Sequence, residues 1–145
     1  MISRIVLLDT HVWVWAVDGG SRLGPKARRR LARATSGATA DGLSVSAVSV
    51  FEIAALHTAG RLRFDRSVER WVRESIEKGG LRVLDVDTDI SVEAGLIPAA
   101  ALGDPIDRWL VATAREHNQQ LVTADRRLLD YSRQTGVVRT IDASR

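Results

Sequence analysis

Four carboxylates in this chain fall where an α/β protein gathers its reactive groups: Asp9, Glu52, Asp107 and Asp125. Asp9 directly follows the apolar run Ile5 to Leu8, and only Thr123 and Ala124 separate Asp125 from a second run at Leu121-Val122. Glu52 is the only formally charged residue between Leu43 and Gly60, and Asp107 lies in the first turn of a helix that opens at Asp104-Pro105. In open parallel sheets the carboxyl ends of the strands form the ligand crevice, and these acids converge there. Crowding carboxylates in apolar surroundings is unfavourable, because like charges and desolvation both resist ionisation. A bound cation relieves both. With no cysteine in the chain, hard oxygen donors favour Mg²⁺ or Mn²⁺, ions that keep several waters and accept phosphate oxygens. Such an ion orients a water for attack and neutralises charge developing on a phosphoryl group.

Each acid has a structural reading beside this one. Asp9 is placed to cap the helix starting near Thr10, Asp125 to cap the last helix, and Asp107 to gain from a helix dipole. Glu52 resists such accounts, since a lone carboxylate on so apolar a helix needs a partner or a cation. Asp104 reads first as an N-cap ahead of a first-turn proline, although it shares a helical face with Asp107 and can reach a second metal or a metal-bound water.

The elements that position these residues follow from periodicity. Ile5–Leu8 reads as a buried strand and Thr10–Val17 as a short helix closed by Gly19-Gly20. A second helix runs from Gly24-Pro25 to about Thr35. Strand two is Leu43–Val45, followed by a helix over Ala47–Thr58 that Gly60 stops. Ser67–Lys78 is a more polar helix with an inward stripe at Val68, Trp71, Val72 and Ser75 to Ile76. Leu81–Val86 alternates as strand three, Asp89–Ile97 is a helix broken by Pro98, and Asp104 to about His117 is the clearest helix of the chain. Leu121–Thr123 is strand four, Arg126–Arg133 a helix, and Val137–Ile141 strand five. Strands alternating with helices argue for a parallel sheet covered on both faces.

At 145 residues, 45% hydrophobic and 27% charged, the composition suits one globular domain over residues 1–145. No apolar run reaches the roughly 20 residues of a membrane span, and the apolar start is too short for a secretory leader, so a cytosolic protein is expected. The charge of +3 rests almost wholly on arginine, since Lys26 and Lys78 are the only lysines. From Arg22 to Arg33 six basic residues occur without an acid, a stretch suited to RNA phosphates, to an acidic partner tail, or simply to a solvated face. Trp13 and Trp15 must face different ways on a helix, one into the core and one toward a partner, while Trp71 and Trp109 read as core. His11, His57 and His117 are scattered and read as surface or core rather than as ligands.

Other chemistries fail on inspection. Gly19–Lys26 has a glycine spacing like a phosphate loop, but Pro25 and Ala27 break its ending. Neither a Gly-x-Ser-x-Gly nucleophile turn nor a His-Glu-x-x-His zinc helix occurs.

The ordered segments Leu7-Leu8-Asp9-Thr10-His11-Val12-Trp13, Ser49-Val50-Phe51-Glu52-Ile53-Ala54, Gly103-Asp104-Pro105-Ile106-Asp107-Arg108-Trp109-Leu110-Val111-Ala112 and Leu121-Val122-Thr123-Ala124-Asp125 resemble the four acidic motifs of PIN domains, above all those of VapC-type toxins. The resemblance runs from about Ile5 to Ile141. It implies a three-layer α/β/α sandwich around a five-stranded parallel sheet and a Mg²⁺- or Mn²⁺-dependent endoribonuclease. It also implies a homodimer, an RNA substrate with tRNA and rRNA among the candidates, and a cognate antitoxin that joins a larger complex and blocks the site. By position, Asp9, Glu52 and Asp107 match the family's first three acids and Asp125 its more variable fourth, as both catalytic and metal-binding residues. The position of Gly103 often carries a basic residue or histidine in the Asp-Pro-x-Asp-Arg subgroup.

Two rival enzymes fit less well. A phospho-receiver domain needs a lysine after the last strand, and none follows Lys78; a haloacid-dehalogenase-like phosphatase needs an acid where His11 stands. A PIN-like module that binds RNA or protein without cutting remains as the non-enzyme alternative, and it predicts an eroded acidic set where this one is intact.

Overall fold

The computed structural model describes residues 2–35 and 41–145. Among these, five strands form one sheet: β1 (Ile5–Leu8), β2 (Gly42–Ser46), β3 (Arg82–Leu84), β4 (Gln120–Thr123) and β5 (Thr140–Asp142). Their order is β3-β2-β1-β4-β5, and all four pairings are parallel. Seven helices connect them: α1 (Thr10–Val17), α2 (Pro25–Thr35), α3 (Ala47–Thr58), α4 (Val68–Gly79), α5 (Thr88–Leu96), α6 (Pro105–Glu116) and α7 (Arg126–Thr135). The chain winds outward from β1 to β2 and β3, then returns to place β4 and β5 on the other side. That reversal makes the gap between the ends of β1 and β4 the topological switch point, where doubly wound sheets bind ligands. Leu8 stands opposite Val122 in the ladder, and the Asp9 amide continues it by donating to the Val122 carbonyl at 3.0 Å.

Alternation along the buried strands divides the core into two faces. Val6, Leu8 and Val122 pack with Val12 and Trp13 of α1, Leu31 of α2 and Trp71 of α4. Leu7 and Leu121 point the other way, toward Leu110 and Val111 of α6 and Leu128 of α7. The result is the expected α/β/α sandwich. Each of these side chains contributes about 1.5–3 kcal/mol by leaving water.

Asp104 and Asp125 cap their helices as expected, and Ser46, Ser67 and Asp87 prove to be caps as well, each accepting a backbone N–H of the helix it precedes. Three expectations need correction. The third strand stops at Leu84 rather than Val86, because Asp87 turns to cap α5 through Ile90 N–H. The fifth begins only at Thr140, since Gly136 adopts the left-handed C-cap of α7 (φ +65°) and Val137 and Val138 form the return turn. Trp109 is not core: it is 36% exposed, while Leu110, Val111 and Ala114 carry the inward side of α6. Trp13 and Trp15 divide as expected, Trp13 fully buried with its indole N–H donating to Ser75 Oγ at 3.2 Å, and Trp15 half-buried. No helix among the described residues is long and apolar enough to cross a membrane.

Candidate active site

Three helix N-termini and one helix side meet beyond the carboxyl ends of β1 and β4. There Asp9, Glu52, Asp104, Asp107 and Asp125 line a single cleft of about 340 Å³, with Thr10, His11, Trp15 and Arg22 on its walls. All four acids singled out in the sequence are thus brought together, and Asp104 joins them.

Asp9 is 4% exposed and held by both oxygens. Its Oδ1 accepts the Thr10 amide at 2.7 Å, as an N-cap, and its Oδ2 accepts the Thr123 hydroxyl at 2.7 Å. Thr123 in turn accepts the Asp125 amide at 3.0 Å, so one fully buried hydroxyl ties the ends of both strands together. Burial pushes the Asp9 carboxyl above its usual range; His11 and the hydrogen bonds of Thr123 and Thr10 oppose that rise, while Asp125 adds to it.

Asp107 is 6% exposed and accepts no hydrogen bond from any described residue. Its carboxyl is pushed up to about 8, first by burial and then by Asp104, Asp9 and Asp125, with Arg127 pulling weakly the other way. Glu52, half-buried on α3, is raised by burial, by Asp9 and by Asp104, against the Thr10 hydroxyl and His11. Asp125 caps α7 by accepting Arg127 N–H at 2.9 Å, and Asp104 caps α6 by accepting Ile106 N–H at 2.9 Å. These acids therefore resist sharing negative charge, and helix dipoles, a few hydrogen bonds, His11 and Arg127 offset the repulsion only in part.

A model of the PIN domain matches residues 6–134. Over 123 residues the sequence is 36% identical to Ribonuclease VapC22 of Mycobacterium tuberculosis, spanning 85% of this chain and 88% of that protein. The chain belongs to the PIN-domain family, among its VapC-type members. Solved structures agree on the fold. VapBC2 from Rickettsia felis, bound to a DNA fragment from their promoter, superposes with a TM-score of 0.66 at 12% identity, covering 95% of this chain and 98% of that one. VapBC-1 from nontypeable Haemophilus influenzae gives 0.64 at 19% identity, covering 97% and 99%. FitAcB from Neisseria gonorrhoeae gives 0.60 at 19%, covering 95% and 97%.

Within this PIN domain, the side chains that position the acids are the ones the sequence did not announce. Thr123 read as a strand residue, and its hydroxyl holds the Asp9 carboxylate; Thr10 meets Asp9 only through its backbone amide, its hydroxyl donating to Ser49 Oγ at 2.9 Å. His11 is no surface bystander either. Its Nε2 accepts the Ala124 amide at 3.0 Å, which leaves the other ring nitrogen to carry the proton, and that Nδ1 lies 3.5 Å from Asp9 Oδ2. With Nε2 occupied, His11 orients Asp9 rather than offering a ligand. His57 faces the Leu62 carbonyl and packs beside Phe64, away from the acids.

Among the described residues, no three His, Asp or Glu side chains close on one point as a finished metal cage. Mg²⁺ and Mn²⁺ do not need one: Mg²⁺ is ordinarily held by one or two carboxylates, with waters and substrate phosphate completing its octahedron. An open cleft with two buried, mutually repelling carboxylates at its floor fits that kind of site and does not fit a fully ligated structural ion.

Proposed function

We propose that this chain, acting as one PIN domain over residues 1–145, is a Mg²⁺- or Mn²⁺-dependent endoribonuclease and the cytosolic toxin of a toxin-antitoxin pair. The observation that carries the reading is the convergence of Asp9, Glu52, Asp107 and Asp125 on one cleft at the switch point, where burial and the neighbouring carboxylates push the Asp107 carboxyl up. The likeness to a ribonuclease of the VapC type supports the substrate class, and neighbours solved as VapBC complexes support a cognate antitoxin, a protein that occupies the cleft and silences it. The active form is a homodimer.

In this reading Asp9, Glu52, Asp107 and Asp125 would hold the ion, the two buried aspartates Asp9 and Asp107 from the floor of the cleft. When bound, the ion lowers the pKa of a water and neutralises charge on the scissile phosphate. Thr123 and His11 fix the Asp9 carboxylate so that its ligating oxygen needs no reorganisation. Arg22 at the cleft wall attracts the phosphate that the acids alone would repel.

Protein freed of antitoxin should cut structured RNA, bulk tRNA or rRNA being the first substrates to try, only with Mg²⁺ or Mn²⁺. Asp9→Asn should abolish cleavage. Undiminished cutting by that variant, or by wild type in excess chelator, would sink the assignment.

A further inference from the structure

The arginine-rich stretch of α2 divides into two sets by what the side chains touch. Arg28 donates to the Gly20 and Leu23 carbonyls and Arg30 to the Arg4 carbonyl, so these two brace the fold. Lys26, Arg29 and Arg33, spaced three and four apart, form a separate exposed stripe on the same helix. Among the described residues Lys26 and Arg29 make no ion pair or side-chain hydrogen bond, whereas Arg33 meets Asp41 at 3.0 Å.

The C-terminal segment joins this stripe to the active cleft. The Arg145 carbonyl accepts the Lys26 and Ala27 amides at 2.8 and 3.2 Å, and a Cβ on Gly24 would lie 2.1 Å from the Arg145 backbone. Arg145 is thereby seated at the start of α2 with its guanidinium 81% exposed. It borders two surface hollows at once: one of about 760 Å³ shared with Lys26, Arg29 and Arg33, and one of about 320 Å³ shared with Arg126 and Arg133 of α7. Arg126 directly follows Asp125, which lines the acidic cleft. The one acid along the way, Asp142, is engaged by Ser144 and Arg145.

We infer that Lys26, Arg29, Arg145 and Arg126 form a continuous track that carries the phosphate backbone of the RNA substrate around the β5 edge, from the acidic cleft to the outer face of α2. The inference rests on the proposed ribonuclease activity and names where the uncut part of the substrate lies. Continuity is the argument: the hollows share Arg145, and the nearer one begins one residue from a carboxylate of the cleft. Length agrees, since from Lys26 to Arg33 the stripe spans about 10 Å, the rise of about three nucleotides in one strand of a duplex. Of the four, Lys26, Arg29 and Arg126 make no ion pair among the described residues, while Arg145 shares its exposed guanidinium with Asp142 at 3.8 Å; exposed basic groups of this kind suit phosphate positioning, and counterion release makes such contacts measurable by salt.

Equilibrium binding to bulk tRNA in excess EDTA separates this question from turnover. Plotting log affinity against log salt for Lys26→Ala/Arg29→Ala should show a slope shallower than wild type by about 1.5, at 0.7–0.9 per phosphate contact. Arg126→Ala alone should reduce it by nearly one. Arg73→Ala/Arg82→Ala, the same charge removed from α4 and from the opposite sheet edge, should leave it unchanged. A double variant with the wild-type slope overturns the track, as does an equal fall in the control pair. So does a double variant that keeps RNA affinity and loses only its hold on the antitoxin, which would give the stripe to the protein partner. Failure of the ribonuclease reading is recognised separately, as wild type that binds tRNA in EDTA yet never cuts it with metal.

Discussion

Asp107 offers the most direct test of why the cleft calls for a cation. Its carboxyl ionises near 3.8 in an unfolded chain and is pushed up to about 8 in the folded one, chiefly by burial. A folded group that keeps its proton where the unfolded chain has lost it makes the native state less stable as pH rises. The loss begins near pH 4, amounts to about 1.4 kcal/mol per pH unit, and levels off above pH 8. At pH 7 the accumulated penalty is about 4 kcal/mol as a ceiling, and Asp9 and Glu52, also raised by burial, act in the same direction. Asp107→Asn removes the titration but places an amide where no described residue hydrogen-bonds the present side chain, at a cost of about 1–3 kcal/mol. Metal-free Asp107→Asn should therefore match wild type near pH 5 and exceed it by about 2 kcal/mol at pH 7, or about 4–8 °C in Tm.

Metal should reverse the order. An ion that binds the folded state alone adds about 2.7 kcal/mol at a hundredfold excess over its Kd, and wild type should gain that while the variant gains little. Calorimetry from pH 5 to 9, in EDTA and in Mg²⁺ or Mn²⁺, reads all of these quantities. The reasoning fails if the wild-type slope between pH 5 and 8 survives the substitution, or if the variant is the less stable protein at pH 8 without metal.

Three further outcomes follow from individual contacts. Thr123→Val keeps the shape but removes the donor to Asp9 Oδ2 and the acceptor of the Asp125 amide; stability should drop by about 1–3 kcal/mol and cleavage by about 10- to 100-fold, with Thr123→Ser restoring most of the rate. Gly24→Ala drives a methyl into the Arg145 backbone and should lower stability by about 1–3 kcal/mol, with chemical denaturation as the readout and wild-type stability the disproof. Trp71→Ala empties the centre of the face where Trp71 stacks on Phe64 and packs against Trp13; a loss of about 3–5 kcal/mol is expected in the same experiment.

What the sequence disclosed, and what it hid, follows from the range of the forces involved. Asp9 and Asp125 were legible because the ends of two apolar runs are visible in one dimension, and Glu52 because an isolated charge among apolar residues is conspicuous. The α/β/α order was legible for the same reason: buried parallel strands are continuous apolar runs, and β1, β2 and β4 are all covered on both faces. Edge strands carry a weaker pattern. β3 and β5 are partly exposed, and their ends were set by Asp87 and Gly136, local capping events that outweighed the run of apolar residues. Trp109 misled because helical spacing gives a face only to within a residue, and Leu110 won the inward position. Thr123 and His11 were invisible as site residues. Their partners lie 114 and 113 positions away along the chain, and no spacing rule reaches across a sheet.

Capping and catalysis entered as rival explanations for the same aspartates, and the geometry removes the rivalry. An N-cap needs one carboxylate oxygen. Asp104 and Asp125 each spend Oδ1 on a backbone N–H, of Ile106 and of Arg127, and no described residue donates to their Oδ2. Asp9 gives Oδ1 to Thr10 and uses Oδ2 for the Thr123 hydroxyl, which leaves further lone pairs on that oxygen. Capping also fixes the side chain's rotamer, so the second oxygen is aimed before any ligand arrives, and the helix N-terminus behind it partly offsets the charge. A carboxylate held this way stabilises its helix whether or not an ion is bound. It follows that the caps should be separable from the chemistry by substitution. Asp125→Asn retains a capping oxygen and should leave Tm within about 1 °C, while weakening the Mg²⁺-dependent rate; Asp125→Ala should lose both the rate and about 1 kcal/mol of stability. Equal stability in the two variants would mean that Asp125 contributes no cap in solution, and an unaltered rate in both would remove it from the site.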